Sequence, residues 1–369
     1  MKIGIMTFWW SEDNYGQLLQ CYAFQKYLRD LGHEAFLIRY FPDNDIPRQK
    51  TPIIKKFYKV FNPKKLYNFI QAKIKRKKLE YERTTNNRHF DSFRQKYISQ
   101  TSVLYSTLKE LRANPPQADV YIVGSDQVWN YYCQFKNTLH AYFLDFGSDC
   151  TRRLSYAASW GRTSISDDEI SEITPLLKRF DYVSVREGSG IELCKKCGFD
   201  SAEWVCDPTL LLSAGTYRKL YNENSIRKIA KKYLLLYMLG NKCDFDIKNV
   251  YNFAMLKNLE VVFVTGNNLI NSNTKYFATI PEWLYLVDNA EYVITNSFHC
   301  GVFSTIFHKQ FGIVPLSGKL IGMNARMESL FESRGIGNRF ISNNDFSLLD
   351  EEYSVKNITN SEKFSKILK

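Results

Sequence analysis

A histidine with polar neighbours occurs where a predicted strand meets a predicted helix. The apolar run at 290–294 is typical of a buried strand, and the apolar residues after it recur at helical spacing, so Asn296, Ser297 and His299 are expected at the junction. In open α/β sheets ligands bind at such junctions, and the N–H groups of a helix start suit a phosphate or carboxylate. An imidazole in that field tends to stay neutral, so His299 is a candidate to give or take a proton. A lone histidine beside an apolar helix is also a common structural residue.

Three more stretches place small or polar residues after a predicted strand. They are Asn14-Tyr15-Gly16, Gly124-Ser125-Asp126 and Arg186-Glu187-Gly188-Ser189. One such turn is weak evidence, because every loop between a strand and a helix has to turn. Four of them, with glycine, carboxylate, arginine and histidine at strand ends, predict a polar cleft between two sheets.

Each of these turns has a structural alternative. Arg186 could bind a phosphate or carboxylate through its planar fork, or it could pair with Glu187 or Asp207. Asp126 could act as a base on a hydroxyl group, or it could cap a helix N-terminus. The stretch 14–16 could line the cleft or only form a turn. The residues by themselves leave these alternatives open.

The elements around these turns predict an α/β protein of two domains. A chain of 369 residues is too long for one ordinary core. The strand–helix–strand order near the N-terminus predicts a parallel sheet, and a second set of strands begins near residue 233. We expect an N-terminal Rossmann-like domain at 1–212, with a basic helical insertion at 42–100, and a C-terminal Rossmann-like domain at 213–369. The tail of the second domain could reach back over the first.

The composition favours a globular protein of the cytoplasm. Hydrophobic residues make up 44%, and no apolar run reaches the ~18–20 residues that a membrane-spanning helix needs. The N-terminus lacks the long apolar core of a signal peptide.

Cys194 and Cys197 form a C-x-x-C without the further ligands of a zinc site. They are expected on one helix face, and a redox pair is the alternative. We predict no metal site and no cofactor.

The positive charge of the chain is concentrated in one segment. The net charge is +12, but residues 48–96 hold 16 Lys and Arg against 3 Asp and Glu, which is +13 and leaves −1 for the rest. Apolar residues recur there at helical spacing, at Ile53, Ile54, Phe57, Val60 and Phe61 and again at Leu66, Ile70 and Ile74. A basic amphipathic helix of this kind can lie on an anionic membrane surface, and the alternative is a solvated helical face. Nucleic acid is not expected, because the chain has no nucleic-acid-binding signature.

Several motifs together carry a resemblance to a known family. They are Asn-Tyr-Gly-x-x-Leu-Gln-x-Tyr-Ala at 14–23, Val-Gly-Ser-Asp-Gln-Val-Trp-Asn at 123–130, Ser-Tyr-Ala-Ala-Ser at 155–159, Ser-Val-Arg-Glu at 184–187, Asp-Pro-Thr-Leu-Leu at 207–211 and Ser-Phe-His-x-x-x-Phe-Ser at 297–304. In order and spacing they resemble the polysaccharide pyruvyl transferase family. The resemblance implies two Rossmann-like domains with parallel sheets facing a cleft, as in GT-B glycosyltransferases. It also implies transfer of pyruvate from phosphoenolpyruvate, as co-substrate, to two hydroxyls of a sugar, with formation of a ketal, in capsule or exopolysaccharide synthesis.

The resemblance gives the candidate site residues their expected roles. His299 and Asp126 are expected to be catalytic; Arg186, Asn296, Ser297 and Arg326 to bind the donor; and Asn14, Tyr15, Gly16, Gly124 and Ser125 to bind the acceptor. The acceptor is expected to be a sugar or a lipid-linked oligosaccharide, which would bring the protein to the inner face of the membrane. The chain has Ser297-Phe298-His299 where better-understood members resemble Arg-Leu-His. This difference keeps a GT-B glycosyltransferase that uses a nucleotide sugar as the alternative.

Overall fold

The computed structural model describes residues 1–42, 63–130, 138–240, 245–266, 275–356 and 361–369. The apolar positions predicted to form a helix at 53–61 lie outside these ranges. Among the helices of the described ranges, none combines the length and the apolar character needed to cross a bilayer.

A parallel sheet forms the centre of the first domain. Its strands are β1 (Lys2–Met6), β2 (Glu34–Leu37), β3 (Val120–Val123) and β4 (Arg152–Ser155), in the order β2-β1-β3-β4. All three pairings are parallel. Two short parallel strands, β5 (Ser184–Val185) and β6 (Glu203–Trp204), continue the sheet beyond β4 through isolated bridges. The strands are largely buried on both faces, as parallel strands between helices are.

Helices cover both faces of this sheet, and three of them lie in the described part of the chain between β2 and β3. They are α1 (Tyr15–Asp30), α2 (Pro63–Thr85), α3 (Phe90–Tyr97), α4 (Leu108–Ala113), α5 (Leu139–Tyr142), α6 (Asp167–Leu177) and α7 (Ser189–Lys196). The apolar residues of α1 lie all round the helix, and most of the helix is buried. Leu18 and Leu19 pack in the same apolar cluster as Trp283 and Tyr237 of the second domain. The N-terminus of α1 is therefore fixed between the two halves of the molecule.

The second domain has its own parallel sheet. Its strands are β7 (Tyr233–Met238), β8 (Glu260–Thr265), β9 (Lys275–Tyr276), β10 (Tyr292–Thr295) and β11 (Gln310–Ile313), in the order β11-β10-β7-β8-β9. Its helices are α8 (Ala214–Asn222), α9 (Lys248–Leu256), α10 (Ile280–Asn289), α11 (Phe298–Ile306) and α12 (Ala325–Arg334). The carboxyl end of β10, the strand between β11 and β7, leads directly into α11. Each domain thus has the strand–helix alternation of a Rossmann-like fold.

The chain ends on the first domain. Its last helix, α13 (Glu362–Ile367), places Phe364 in a buried cluster with Phe24 and Tyr156. Arg152, at the start of β4, donates a hydrogen bond of 3.1 Å to the backbone carbonyl of Ile367. Packing and a specific hydrogen bond therefore hold α13 on the first domain.

Candidate active site

A cleft of about 630 Å³ lies between the two domains. The first domain contributes polar side chains and one indole to its wall: Trp10, Glu12, Asp13, Asn14, Asp126 and Gln127. The second domain contributes the start of α11 and a basic side chain: Asn296, Ser297, Phe298, His299 and Arg326. The predicted junction of strand and helix at 296–299 is therefore at the cleft.

Two polar residues before α11 fix the direction of that helix. Both polar atoms of the Asn296 amide bond the backbone of Leu239: the carbonyl oxygen accepts from its N–H at 2.7 Å, and the amide nitrogen donates to its C=O at 2.8 Å. Ser297 is the N-cap, and its hydroxyl accepts from the N–H of Cys300 at 3.4 Å. Asn296 and Ser297 therefore shape the site by binding the backbone of the second domain. The partial positive charge of the helix start acts at the cleft.

The imidazole of His299 is held by groups of the first domain. His299 is only 5% exposed, and its ring lies on Gly16 in the first turn of α1, so closely that a Cβ at Gly16 would be 2.2 Å from the Cγ of His299. Its Nε2 lies 3.5 Å from the Oδ2 of Asp207. At that distance the two groups have not formed a well-made hydrogen bond. Such contacts often shorten when a substrate binds.

Asp207 is the centre of a buried polar network. Its Oδ2 accepts from the hydroxyl of Ser125 at 2.8 Å and from Nη1 of Arg186 at 3.1 Å. Its Oδ1 accepts from the N–H and the hydroxyl of Thr209, at 3.0 and 2.6 Å. Burial disfavours the charge of the carboxylate, but His299, Arg186 and Thr209 together hold the pKa of Asp207 well below its usual value. Asp207 is therefore an anion at neutral pH and fixes the edge of the His299 ring.

From its residue type, Asp207 was expected only as a possible structural partner of Arg186. Its signal was the Asp-Pro-Thr stretch at 207–209, in which the aspartate caps a short 3₁₀ turn. That pattern predicts a turn, and nothing in it indicates a histidine 92 positions further along the chain. The contact depends on how the two domains meet.

Arg186 does not reach the cleft wall. Its side chain is 1% exposed, and its Nε and Nη1 donate to Glu187 at 3.2 Å and to Asp207 at 3.1 Å. The guanidinium also lies over the ring of Phe298, at 4.3 Å from the ring centre. Although burial disfavours the charge, Glu187 and Asp207 raise the pKa of Arg186 above its ordinary value. The structural pairing named as the alternative is present, and donor binding by Arg186 stays a prediction.

Four residues expected to bind the acceptor lie behind the cleft wall. Tyr15 is buried, donates its hydroxyl to the backbone carbonyl of Ala278 at 2.7 Å and stacks on Trp283, because its side chain points away from the start of α1 into the core shared by the domains. The four residues and their contacts are Tyr15 with Ala278, Gly16 with His299, Gly124 with Thr7, and Ser125 with Asp207. In this position they support the residues of the cleft wall, and acceptor binding by these four residues stays a prediction. Asn14 does line the cleft.

Asp126 lies in the cleft with a left-handed backbone. Its φ is +83°, which is uncommon for a residue with a side chain and costs roughly 1–3 kcal/mol. Its carbonyl accepts from the N–H of Ser159 at 3.0 Å, and its Oδ1 accepts from the N–H of Gln127 at 2.8 Å. Residues 127–130 form turns and not a helix, so the alternative of a helix cap does not apply to them. Strained residues that persist in a fold are found most often at functional sites.

Within the described ranges, no group of three or more His, Cys, Asp or Glu residues is arranged to hold a metal ion. Cys194 and Cys197 are buried at the end of α7 as free thiols. Burial raises the pKa of Cys194 to about 12 and that of Cys197 to about 11. Both thiols are therefore protonated at neutral pH and behave as apolar groups.

Solved structures with a similar fold are enzymes of nucleotide sugars. One is UDP-GlcNAc 2-epimerase from Methanocaldococcus jannaschii in complex with UDP-GlcNAc and UDP, with a TM-score of 0.54 and 12% identity over 100% of this chain and 99% of that chain. Another is UDP-N-acetylglucosamine 2-epimerase from Rickettsia bellii, with a TM-score of 0.51 and 10% identity over 100% of this chain and 95% of that chain. These likenesses confirm the expected fold class, two Rossmann-like domains of the GT-B type. Among curated protein sequences, none matches the chain significantly.

The sequence itself matches one family over most of its length. The sequence model of the family described as "Polysaccharide pyruvyl transferase" matches residues 14–317. The match begins at the N-cap of α1 and includes the Asp-Pro-Thr turn and the junction at 296–299, so it covers part of each cleft wall and the network around Asp207. The chain therefore belongs to the polysaccharide pyruvyl transferase family, a family of transferases.

Proposed function

We propose that the protein is a ketal pyruvyltransferase that moves pyruvate from phosphoenolpyruvate to two hydroxyls of a sugar. One observation carries the proposal above others: His299 lies at the cleft, at the N-terminus of α11, with Asp207 3.5 Å from its Nε2. A histidine oriented by a buried carboxylate is suited to move protons in both directions. The helix start beside it favours an anion in the same place.

The chemistry of the two walls supports a division of the cleft between donor and acceptor. The second-domain wall has Arg326, the helix start and no carboxylate among its described lining residues, which suits the phosphate and carboxylate of phosphoenolpyruvate. The first-domain wall has Asp126, Asn14 and Trp10, which suit the hydroxyls and the apolar face of a sugar ring. We therefore assign the donor to the second domain and the acceptor to the first.

The proposed reaction has two proton-transfer stages. In the first, the methylene carbon of phosphoenolpyruvate takes a proton from protonated His299, and a sugar hydroxyl adds to the resulting oxocarbenium-like carbon and passes its own proton to His299. In the second, His299 gives that proton to the leaving phosphate as its carbon–oxygen bond breaks, and the second hydroxyl adds to the same carbon and returns a proton to His299. The products are the cyclic ketal and inorganic phosphate. Asp207 orients the imidazole of His299, and Asp126 orients the hydroxyls of the sugar.

Ser297 in place of the expected arginine leaves the donor side with fewer fixed charges. Arg326 is the arginine of the described cleft wall, and its Nε donates to the backbone carbonyl of Met323 at 3.1 Å, which holds the guanidinium in place. Arg186 lies behind the cleft wall, where it pairs with Asp207 and packs on the ring of Phe298. In this proposal Arg326 and the start of α11 bind the anion, and Arg186 positions the proton-transfer pair.

A ligand-binding measurement separates this function from a nucleotide-sugar glycosyltransferase, the alternative that the shared fold favours. A ligand that binds only the folded protein stabilises it by about 2.7 kcal/mol at 100 times its Kd. We expect phosphoenolpyruvate to raise the melting temperature, and UDP-GlcNAc to leave it unchanged. The Arg326→Gln variant is expected to lose most of the phosphoenolpyruvate effect. Stabilisation by UDP-GlcNAc without any by phosphoenolpyruvate would assign the cleft to a nucleotide sugar.

A methyl group at Gly16 tests whether turnover depends on the position of His299. In Gly16→Ala the new Cβ would lie 2.2 Å from Cγ and 2.4 Å from Cβ of His299, so the imidazole has to move. A displacement of about 1 Å costs roughly 100-fold in rate, so we expect kcat for phosphate release from phosphoenolpyruvate to fall by that factor. Gly215→Ala is the matched control, because Gly215 has the same place in the first turn of α8 and its nearest neighbour would be 3.6 Å from the new Cβ. Equal turnover by both variants would contradict the role of His299.

The proposed reaction also indicates where in the cell the enzyme would act. Transfer of pyruvate to a sugar modifies capsule or exopolysaccharide repeats, and phosphoenolpyruvate is a metabolite of the cytoplasm. We infer a cytoplasmic enzyme that meets a sugar or a lipid-linked oligosaccharide at the inner face of the cell membrane.

A further inference from the structure

Helix α2 carries an apolar stripe that the described part of the chain leaves uncovered. Tyr67, Ile70, Ile74 and Tyr81 are separated by three, four and seven residues, a spacing that places them on one face of the helix. Their exposed fractions are 62, 45, 44 and 70%. An exposed stripe of this length on a helix of 23 residues is unusual for a surface that meets only water.

Basic residues border the stripe. Lys77 and Lys78 lie three and four positions after Ile74, so they flank the stripe on both sides between Ile74 and Tyr81, and both are exposed. Lys73 is exposed one turn earlier. Over 63–85 the sequence has eight Lys and Arg against two Glu, a net charge of +6. Aromatic and aliphatic residues on one face with lysines beside them are typical of helices that lie in a membrane interface.

We propose that α2 docks on an anionic lipid bilayer, with Tyr67, Ile70, Ile74 and Tyr81 at the boundary of headgroups and acyl chains. The lysines beside the stripe then lie among the lipid phosphates. Each Lys or Arg near such a surface strengthens binding about fivefold, and clusters of about four to eight basic residues are the usual unit of recognition. The inference deepens the proposed function and rests on it, because a lipid-linked acceptor is the reason for this enzyme to dock on a membrane.

Charge argues against a second copy of the same helix as the partner. Two paired α2 helices would each bring a net charge of +6 over 63–85 to the contact. Like charges at such positions are destabilising, whereas an anionic surface is complementary to them.

The end of α2 connects the stripe to the cleft. Thr84, in its last turn, lines a groove of about 240 Å³ together with Arg88 and Glu12, and Glu12 also lines the cleft. Glu82 pairs with Lys275 of the second domain at 2.7 Å, which fixes this end of the helix against the body of the protein. A protein held on a bilayer by α2 would therefore keep its cleft near that surface, where the sugar of a lipid-linked acceptor lies.

Vesicle sedimentation tests the docking without any substrate. We expect the full-length protein to sediment with vesicles of equimolar phosphatidylglycerol and phosphatidylcholine at low salt, to be released as salt rises, and not to sediment with pure phosphatidylcholine. Lys73→Gln, Lys77→Gln and Lys78→Gln together should weaken binding roughly 100-fold. The matched control, Lys109→Gln, Lys178→Gln and Lys219→Gln, removes three exposed lysines elsewhere and should weaken it far less.

A second pair of variants tests the stripe itself. Ile70→Ser and Ile74→Ser together should weaken vesicle binding at least tenfold, because serine has a helix propensity close to that of isoleucine and only the apolar area is lost. The control is Met255→Ser with Leu256→Ser, an apolar pair 72 and 82% exposed on α9. Failure of the wild-type protein to bind anionic vesicles at low salt would overturn the proposal. So would a dimer in light scattering that Ile70→Ser and Ile74→Ser dissociate. Neither result would bear on phosphate release, which is measured separately.

Discussion

Replacement of His299 by glutamine is expected to lower kcat by roughly 10²–10⁴-fold, the usual contribution of a general acid or base. Glutamine can still donate a hydrogen bond toward Asp207 and fills a similar volume over Gly16, but it cannot carry a proton to the methylene carbon of phosphoenolpyruvate. The KM for phosphoenolpyruvate should change little, because Arg326 and the start of α11 remain. The measurement is steady-state phosphate release with saturating acceptor.

The melting temperature of His299→Gln supplies the control. His299 contacts the first domain through Gly16 and Asp207, so a structural role would appear as a lower melting temperature. We expect the same temperature within a few degrees, since most single substitutions that keep volume cost less than about 1.5 kcal/mol. A variant with a much lower melting temperature and a kcat close to that of the wild type would show that His299 has only a structural role.

Replacement of Asp207 by asparagine is expected to lower the free energy of unfolding by about 3–5 kcal/mol, the cost of removing one partner from a buried ion pair. Arg186, whose side chain is 1% exposed, would keep Glu187 as its single described carboxylate partner, and the new amide would present donors to its guanidinium. Urea unfolding at neutral pH measures the difference. Asp350→Asn is the control, because Asp350 pairs with Lys257 at the surface and exposed pairs contribute about 0–1 kcal/mol.

The effect of Asp207 on stability should depend on pH. Because the folded state lowers the pKa of Asp207, the unfolded chain binds a proton at this group first as pH falls. Its contribution is complete above the unfolded pKa of about 4 and shrinks as pH falls below that value. The gap between wild type and Asp207→Asn should therefore be constant from pH 7 to about 5 and narrow in more acidic solution. A gap that widens in acid would show that Asp207 is not the charged member of the network.

The alternation of strands and helices and the position of His299 could be predicted from the sequence because they depend on local patterns. A buried strand and an apolar helix on either side of 295–297 leave one arrangement for Asn296, Ser297 and His299, and β10 and α11 have it. The parallel sheets follow from alternation of strand and helix in the same way. The bend at Asp126 was also found from its place after β3, although its left-handed backbone gave no signal in the sequence.

The depth of each side chain could not be predicted in this way. Tyr15 and Asn14 are neighbours, yet Asn14 is at the cleft and Tyr15 is stacked on Trp283, because adjacent residues at a helix start point in different directions. Arg186 follows a strand end as His299 does, but β5 is at the side of the first sheet and the residues after it are covered by Phe298. A sequence pattern predicts that a residue follows the end of a strand. Whether its side chain is buried depends on which residues of the other domain cover that end.

The return of the chain to its first domain sets limits on recombination. Since Phe364 completes the cluster around Phe24 and Tyr156, a chimera with one crossover near residue 213 would import a foreign terminal helix into the native N-terminal core. An exchange that respects the architecture needs two junctions and moves an internal cassette that ends before Ser361. Such a cassette would separate the native His299 from the native Gly16 and Asp207, which it contacts. A working chimera therefore needs all three residues from the same parent protein.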